Sequence, residues 1–452
     1  MNYYSLNKQS LIVNFAEAAV KGQAPDKGLY FPEYIPQLPK GFIENLKQYS
    51  KEEIGVTVMQ PYVDDSLPAN ELQRIIAETI NFNFPLVKIT DSIYSLELFH
   101  GPTLAFKDVG ARFMSRCLGY FNRNNNSKVT VLVATSGDTG GAVANGFLGV
   151  EGVEVVILYP SGKVSPVQEL QLTTLGKNIT ALEIQGNFDD CQAIVKQAFV
   201  DADITAKLSL TSANSINVAR WLPQQLYYFY ALQQWQQNEA PIVCVPSGNF
   251  GNICAGMIAF ASGLPVKHFI AACNANDVVT NYLQTAIYAP KQAVATLSNA
   301  MDVGNPSNFV RIQQIFNNEF SSLKNKLTSI CVDDLTTEKT IAEVYKEYNY
   351  ILDPHGAVAF YALEEYQKGK SKEKRQNQKI VELSNQLVNP ITNQLGYILE
   401  TAHPVKFPDV VEKAIGKKIE IPEAVKHLFK NKKRSVLLPK DYDCFKEWLI
   451  NR

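Results

Sequence analysis

Short runs of β-branched and other apolar residues alternate with longer amphipathic stretches along the middle of the chain. KVTVLVAT (128–135), VEVVILYP (153–160) and NITALEIQG (178–186) have the length and composition of buried strands. Each is followed by helical spacing, in AVANGFLG, SPVQELQLTTLG and FDDCQAIVKQAFVD. The pattern returns after residue 240 with PIVCVPSG, NICAGMIAFASG and VKHFIAACN. This repetition predicts an α/β protein with mainly parallel sheets and helices on both faces.

The stretch VARWLPQQLYYFYALQQW (218–235) separates two groups of these units and predicts one long helix. We therefore expect two α/β domains with a cleft between them. The N-terminal region differs, because the four prolines and three glycines of GQAPDKGLYFPEYIPQLPKG (22–41) exclude long regular elements. The expected division is an N-terminal domain at 1–98, a large domain at 99–128 and 216–452, and a small α/β domain at 129–215.

Composition narrows the possible functions. The 452 residues are 46% hydrophobic and 19% charged, and their formal net charge of -1 argues against binding to nucleic acid or to an acidic membrane surface. The seven cysteines include no Cys-x-x-Cys pair, the first residues lack the features of a signal peptide, and no long apolar segment occurs. We therefore expect a cytoplasmic protein with no membrane or nucleic-acid partner.

Lys107 stands directly after the apolar run Leu104-Ala105-Phe106, within ELFHGPTLAFKDVGARFM (97–114). Desolvation disfavours the ammonium form of a lysine and lowers its pKa, which suits an amine that attacks a carbonyl. The alternative is a lysine that extends to solvent from the start of a buried helix.

Two glycine-rich turns, TSGDTGG (135–141) and SGNFGN (247–252), follow predicted strands and open predicted helices. Free backbone N–H groups and the helix dipole attract an anion at such a turn. Neither turn matches a nucleotide fingerprint, so we expect a carboxylate or a single phosphate on a compact cofactor. The alternative is that glycine serves backbone geometry only. No histidines have metal-ligand spacing and G-x-S-x-G is absent, so we expect neither a metal site nor a serine hydrolase.

Several segments together resemble the threonine synthase family, in its longer bacterial and fungal type. In chain order they are APDKGLYFPE, HGPTLAFKD, ATSGDTGGAV, PSGNFGN, SNAMDVGNPSN, DPHGAVA and ETAHPVKFP, between about residues 24 and 408. The resemblance implies a pyridoxal 5'-phosphate enzyme of fold type II, with the cofactor in the cleft between the two α/β domains. It also implies conversion of O-phospho-L-homoserine and water to L-threonine and phosphate, by a monomer or homodimer. Two alternatives remain open: another fold type II lyase such as a serine/threonine dehydratase, or a non-catalytic binding protein with this fold.

The resemblance also implies residue roles. Lys107 matches the lysine that forms the Schiff base with the cofactor and then shuttles protons, and Thr401 matches the hydroxyl residue that faces the pyridine nitrogen. Many relatives carry Asn where Asp138 stands, although Asp is usual for this longer type. The residues expected to contact the cofactor are Lys107, Asp138, Gly248, Asn249, Phe250, Gly251, Asn252 and Thr401. Those expected to contact the substrate are Thr135, Ser136, Gly137, Thr139, Lys163 and Asn217, with Ser161 and Arg220 as further candidates for its phosphate.

Overall fold

The computed structural model of the protein describes residues 1–124, 128–381 and 394–452. Its strands are β1 (Asn2–Ser5), β2 (Val13–Asn14), β3 (Tyr30–Pro32), β4 (Leu86–Lys88), β5 (Ile93–Glu97), β6 (Val129–Ala134), β7 (Val153–Pro160), β8 (Ile179–Gln185), β9 (Ser209–Ser212), β10 (Ile242–Pro246), β11 (His268–Cys273), β12 (Leu327–Cys331), β13 (Gly396–Glu400) and β14 (Val436–Pro439). Within the three described ranges, no helix is both long and apolar enough to cross a membrane.

Helices separate most of these strands. They are α1 (Phe15–Lys21), α2 (Lys40–Glu44), α3 (Lys51–Val63), α4 (Ala69–Thr79), α5 (Lys107–Asn122), α6 (Asp138–Phe147), α7 (Pro166–Thr173), α8 (Phe188–Ala198), α9 (Ala202–Lys207), α10 (Val218–Trp221), α11 (Leu226–Gln234), α12 (Gly251–Ala261), α13 (Val278–Thr285), α14 (Phe309–Ile315), α15 (Phe320–Lys326), α16 (Asp334–Tyr348), α17 (Pro354–Val381), α18 (Pro408–Ile415), α19 (Glu423–Lys426) and α20 (Tyr442–Asn451). Two short 3-10 turns, Leu222–Gln225 and Pro404–Lys406, also bear on the site.

The smaller sheet contains five parallel strands in the order β14-β8-β7-β6-β9. Every residue of β6 is buried, as expected for a parallel strand covered by helices on both faces. Leu132 and Val156 pack in one cluster with α8 and α20, while Val131 and Val133 pack with α5 and α6 on the other face. Side chains therefore alternate between two apolar layers, which fixes the register of the sheet.

The larger sheet has the order β12-β11-β10-β13-β5-β4, and only β4 runs antiparallel to its neighbour. Val243 and Val245 of β10 pack in one cluster with α12, and Cys244 packs in another with α17. A separate antiparallel sheet, β2-β1-β3, lies in the N-terminal region, where α1 and α4 pack against α5. The predicted α/β class with mainly parallel sheets is confirmed.

The chain departs from the expected division in two places. Strands β4 and β5 belong to the large sheet although they lie within residues 1–98, and β14 with α20 joins the small sheet although they lie within 216–452. Both departures arise from strand pairing between distant parts of the chain, which local patterns do not reveal. Elsewhere the division remains a prediction.

The predicted long helix at 218–235 is interrupted. The 3-10 turn Leu222–Gln225 separates α10 from α11, and Pro223 lies inside it. Proline lacks an N–H donor and its ring collides with the preceding helical turn, so a continuous α-helix is disfavoured there.

Candidate active site

The predicted site residues lie where parallel strands end. Strand β6 leads into the turn at 135–137, β10 leads into the turn at 247–250, and β13 ends immediately before Thr401. Ligands of open parallel α/β sheets bind beyond the carboxyl ends of the strands, because loops and helix N-termini converge there.

Lys107 is the first residue of α5, and the loop before it is held against the end of β13. The N–H of Phe106 donates to the carbonyl of Thr401 (2.9 Å), and the N–H of His403 donates to the carbonyl of Leu104 (3.0 Å). Leu104 has a φ of 57°, in the left-handed region that side chains like leucine rarely adopt. The backbone therefore brings Lys107 beside Thr401, which lies far away in the sequence.

Lys107 shares a buried carboxylate with a second lysine. Its Nζ lies 3.9 Å from Asp138 Oδ2, whereas Lys406 Nζ lies 2.7 Å from Asp138 Oδ1. Lys406 is fully buried and also donates to the carbonyl of Thr103 (2.8 Å). Gln168 adds a hydrogen bond from Nε2 to Asp138 Oδ1 (2.9 Å). Lys406 lies within the motif ETAHPVKFP, but the local sequence does not reveal its role.

Burial sets the charge of Lys107 and its neighbours. Burial lowers the pKa of the Lys107 amine; Asp138 opposes this shift, and the positive charges of Lys406 and Arg220 add to it. Burial acts to raise the pKa of Asp138, but its ion pairs with Lys406 and Lys107 outweigh that effect and hold the pKa below the usual range. Asp138 therefore stays ionised, while the neutral, nucleophilic form of Lys107 becomes more accessible.

The first glycine-rich turn is held closed by its own threonine. The buried hydroxyl of Thr135 accepts hydrogen bonds from the N–H groups of Gly137 and Gly140, both at 2.9 Å. The expectation that the turn leaves its N–H groups free for an anion is therefore wrong for these two groups. Ser136 and Thr139 are only half-buried and lie on the same turn. In the structure, the hydroxyl of Thr135 stabilises the turn. Direct contact between Thr135 and a substrate stays a prediction.

The second glycine-rich turn leads into a buried helix. Phe250, at φ 59°, immediately precedes Gly251, where α12 begins, so the unsatisfied N–H groups of the first helical turn follow this loop. The backbone of Met301 lies so close to Gly248 that a Cβ there would stand 2.5 Å from Met301 Cα. Asn252 accepts a hydrogen bond from Tyr228 at Oδ1 (2.8 Å), but its buried Nδ2 has no partner among the described residues.

Amide side chains and a buried arginine support this second turn from behind. Asn249 donates from Nδ2 to Ser215 Oγ (2.7 Å) and accepts at Oδ1 from the N–H of Ser307 (2.6 Å). Fully buried Arg311 donates to the carbonyls of Ser215 (3.3 Å) and Tyr30 (2.9 Å). The oxygen and one N–H of the Asn249 amide are thus engaged within the protein.

A buried carboxyl–imidazole chain connects the end of β13 to the second turn. The N–H of Asp353 donates to Glu400 Oε1 (2.6 Å), and His355 Nδ1 donates to Asp353 Oδ1 (2.5 Å). His355 Nε2 in turn accepts from the N–H of Ala300 (3.2 Å), the residue before Met301. Burial, together with the charge of Asp353, raises the pKa of Glu400 well above its usual value, so Glu400 holds a proton. Local sequence patterns do not reveal this series of hydrogen bonds, although the residues that form it lie in DPHGAVA, SNAMDVGNPSN and ETAHPVKFP.

Asn217 does not face the site. It is fully buried, caps α10 by accepting from the N–H of Ala219 (2.9 Å), and donates to the carbonyl of Ala19 (2.8 Å). Its amide is fully engaged in these structural contacts, so we replace the predicted substrate contact with a structural role.

Arg220, on the same short helix, is different. Its guanidinium is buried, and Nε and Nη1 have no hydrogen-bond partner among the described residues. Burial lowers its pKa to about 10, so it keeps its charge at neutral pH.

Lys163 lies exposed in the loop between β7 and α7, and the nearby Ser161 donates to Glu183 Oε1 (2.7 Å). Of the candidates for the substrate phosphate, Arg220 alone combines burial with unpartnered donors.

The residues present fit pyridoxal phosphate, the cofactor that the sequence resemblance implied. The cofactor requires a neutral lysine amine and a cup of donors for a dianionic phosphate. Burial favours the neutral amine at Lys107, and the unpartnered Nδ2 of Asn252 lies beside the helix N-terminus at Gly251. In the described part of the chain, no group of three His, Cys, Asp or Glu side chains is placed to hold a metal ion.

Family models cover nearly the whole sequence. Residues 83–383 match the model described as pyridoxal-phosphate dependent enzyme. Residues 2–80 match the threonine synthase N terminus, and residues 392–449 match threonine synthase, C-terminal. The two flanking matches distinguish this chain from fold type II enzymes in general.

Individual proteins agree with these models. Threonine synthase of Haemophilus influenzae is 42% identical over 427 residues, which cover 94% of each chain. The crystal structure of threonine synthase from Escherichia coli has a TM-score of 0.87 at 39% identity and covers 100% of both chains. The pyridoxal-phosphate-bound threonine synthase from Brucella melitensis has a TM-score of 0.87 at 32% identity, with 99% of this chain and 98% of that chain covered. The fold is therefore type II of the pyridoxal-phosphate enzymes, and the chain belongs to the threonine synthase family.

Proposed function

We propose that the protein converts O-phospho-L-homoserine and water to L-threonine and phosphate, with pyridoxal phosphate attached to Lys107. The observation that carries this proposal is the combination of the half-buried amine of Lys107 with two separate groups of unpartnered hydrogen-bond donors. The turn at 247–252 has neutral donors for one phosphate, and Arg220 offers two unpartnered guanidinium nitrogens for a second. A phosphorylated cofactor and a phosphorylated substrate would use both.

The protein groups supply attachment, orientation and proton transfer. When bound, pyridoxal phosphate supplies an electron sink for negative charge at Cα and then at Cβ of the substrate. Once the substrate is bound, Lys107 would be the base that moves protons at these carbons. Phosphate leaves from Cγ and water adds at Cβ. Burial of Lys107 keeps it able to accept a proton at neutral pH.

The remaining predicted residues are proposed to position the two ligands. Ser136 and Thr139 would hold the substrate carboxylate, with Gly137 allowing the turn between them, and Lys163 would join Arg220 at the substrate phosphate. Those proposed to hold the cofactor are Asp138, Gly248, Asn249, Phe250, Gly251, Asn252 and Thr401. The assignment of Thr401 to the cofactor is supported by its position, because its carbonyl accepts a hydrogen bond from the N–H of Phe106, the residue before Lys107. We also propose a cytoplasmic protein, on the strength of its scattered cysteines, in a monomeric or homodimeric state.

The two alternatives explain less of the molecule. A serine/threonine dehydratase would account for Lys107 and the two turns, but not for the threonine synthase matches at both ends of the chain. A non-catalytic binding protein has no need of a buried lysine whose ammonium form is disfavoured.

A product assay tests the proposal. The full-length protein is incubated with O-phospho-L-homoserine, with and without added pyridoxal phosphate, and threonine and phosphate are both measured. Parallel reactions with L-threonine and L-serine are assayed for ammonia. We expect equal amounts of threonine and phosphate from O-phospho-L-homoserine, and little ammonia from the other two. Ammonia release without phosphate release would instead identify a dehydratase.

A further inference from the structure

We propose that Lys406 is a positioning residue that keeps the amine of Lys107 in its neutral form, by holding the negative charge of Asp138 for itself. This inference deepens the proposed function, in which Lys107 is the attachment amine. It rests on one geometric fact: a fully buried lysine and a half-buried lysine lie beside the same carboxylate, and only the fully buried one makes a close ion pair with it.

The carboxylate of Asp138 is oriented toward Lys406. Its Oδ1 lies 2.7 Å from Lys406 Nζ and also accepts from Gln168 Nε2 at 2.9 Å. The opposite oxygen, Oδ2, lies 3.9 Å from Lys107 Nζ, beyond hydrogen-bond distance. The side chain of Lys406 has no exposed surface, whereas that of Lys107 is 17% exposed. The fully buried ammonium of Lys406 thus has the close anion it needs, whereas the amine of Lys107, nearer to solvent, has none at hydrogen-bond distance.

Lys406 is fixed in this position. It ends the 3-10 turn Pro404–Lys406, which His403 caps by accepting at Nδ1 from the N–H of Val405 (3.1 Å). Its ammonium also donates to the carbonyl of Thr103 (2.8 Å), in the loop that precedes Lys107. These contacts prevent Lys406 from turning away and leaving Asp138 to Lys107.

The other charged and titratable groups around Lys107 do not neutralise the carboxylate of Asp138. Burial lowers the pKa of His403 to about 4, so it is neutral, and Asp353 is bonded to His355. Asp108 holds the backbone of Thr103 (2.9 Å). Besides Asp138, the charged groups that act on the amine of Lys107 are Lys406, Arg220 on α10 and Asp353 before α17, whereas Asp108 on α5 and His403 interact electrostatically with Lys406. Of these, Lys406 alone is within ion-pair distance of Asp138, apart from Lys107 itself.

Two opposite consequences follow. Without Lys406, Asp138 would lose its close partner and would stabilise the ammonium form of Lys107 instead. Without the charge of Asp138, the ammonium of Lys107 would lose its only nearby attraction from this turn while still facing Lys406. Removal of Lys406 should therefore raise the titration midpoint of Lys107, and removal of the charge of Asp138 should lower it.

Competitive acetylation of the full-length, cofactor-free chain measures that titration directly, because only the neutral amine reacts. Acetylation of Lys107 by acetic anhydride is quantified by peptide mass spectrometry over a range of pH in the parent, Lys406→Met, Lys406→Arg and Asp138→Asn. We expect the midpoint of Lys406→Met to rise by about one pH unit or more, a tenfold loss of neutral amine below the midpoint. Asp138→Asn should lower the midpoint, and Lys406→Arg, which keeps the charge, should stay near the parent.

A purely structural role for Lys406 would give a different result. In that case Lys406→Met would alter stability but leave the Lys107 midpoint unchanged, which overturns the proposal. If Lys406→Met does not fold, as judged by circular dichroism, the Asp138→Asn protein decides: an unchanged or raised midpoint rejects the inference. No substrate enters this experiment, so a failure of the proposed function in the product assay would leave its outcome interpretable.

Discussion

The two glycine-rich turns have similar sequences and the same strand-to-helix setting, but they differ in their charged side chains and in their free hydrogen-bond donors. The turn at 135–141 carries Asp138 between two lysines, and its threonine hydroxyl occupies two of its own N–H groups. The turn at 247–252 carries no charged side chain and is supported by neutral amides, with an unpartnered donor on Asn252. The first turn therefore sets the protonation of a neighbouring amine, while the second offers donors to an anion.

This difference shows that glycine in a turn does not by itself leave the backbone N–H groups free for an anion. Glycine allows the sharp turn in both places, and the residues around the turn decide whether the backbone donors remain available. Because the roles are separate, substitutions at one turn should affect chemistry, and substitutions at the other should affect cofactor affinity.

Lys107→Ala gives the largest expected effect and separates the two roles most clearly. Threonine formation should fall by about 10³-fold or more, because the attachment amine and the proton shuttle are lost together. The turn at 247–252 is untouched, so affinity for pyridoxamine 5'-phosphate, which needs no amine, should stay within about threefold of the parent. Steady-state assays and fluorescence titration measure the two quantities. Full activity in this variant would remove Lys107 from the site.

Gly248→Val should give the converse result. A side chain at this position collides with the backbone of Met301, so either that backbone or the turn at 247–252 must shift. We expect the dissociation constant for pyridoxamine 5'-phosphate to rise by about tenfold or more, a loss of roughly 1.4 kcal/mol. Gly41→Val is the matched control, because nothing lies within 4 Å of a Cβ at Gly41. Equal affinities in the two variants would require another location for the phosphate.

Substitutions of Thr401 test the part of the site that faces the ring nitrogen of the cofactor. Thr401→Asp should still bind cofactor, but a carboxylate facing the ring nitrogen strengthens the electron sink and favours abortive transamination. We expect threonine formation to fall by about tenfold, roughly 1.4 kcal/mol in the barrier, with an increased yield of keto acid. Thr401→Ser keeps the hydroxyl and should keep most of the activity. A product ratio like that of the parent in the Asp variant would exclude Thr401 from contact with the cofactor.

Asn217→Ala should give the smallest effect on catalysis. The variant loses the cap of α10 and the bond to Ala19, so the free energy of unfolding should fall by about 1–2 kcal/mol. KM for O-phospho-L-homoserine should change little, because the side chain does not face either turn. A large rise in KM with unchanged stability in urea denaturation would restore the predicted substrate contact.

Local sequence patterns were enough for the fold class and for the residues within motifs. The apolar runs at β6, β7 and β8 predicted the small sheet, and Lys107 stood out because an apolar run preceded it. The partner strands β13 and β14 were not predicted, because they pair with strands far away in the sequence.

The electrostatics of the site could not be predicted from the sequence. Lys406 and Asp138 are far apart in the chain, and nothing in HPVKFP indicates that its lysine is fully buried against a carboxylate. The same holds for Glu400, Asp353 and His355, whose hydrogen bonds exist only once β13 and α17 have packed together. A motif identifies which residues matter, but the pairing of charges depends on tertiary structure.

In the proposed reaction, the bond between Cγ and the ester oxygen of the phosphate breaks, and water adds at Cβ. Reaction of O-phospho-L-homoserine in water labelled with a heavy oxygen isotope tests this claim directly, with mass spectrometry of both products. We predict that the label appears in the hydroxyl group of threonine and that the released phosphate carries none from the reaction. Label in the phosphate, with homoserine as the other product, would show simple ester hydrolysis and would contradict the proposed function.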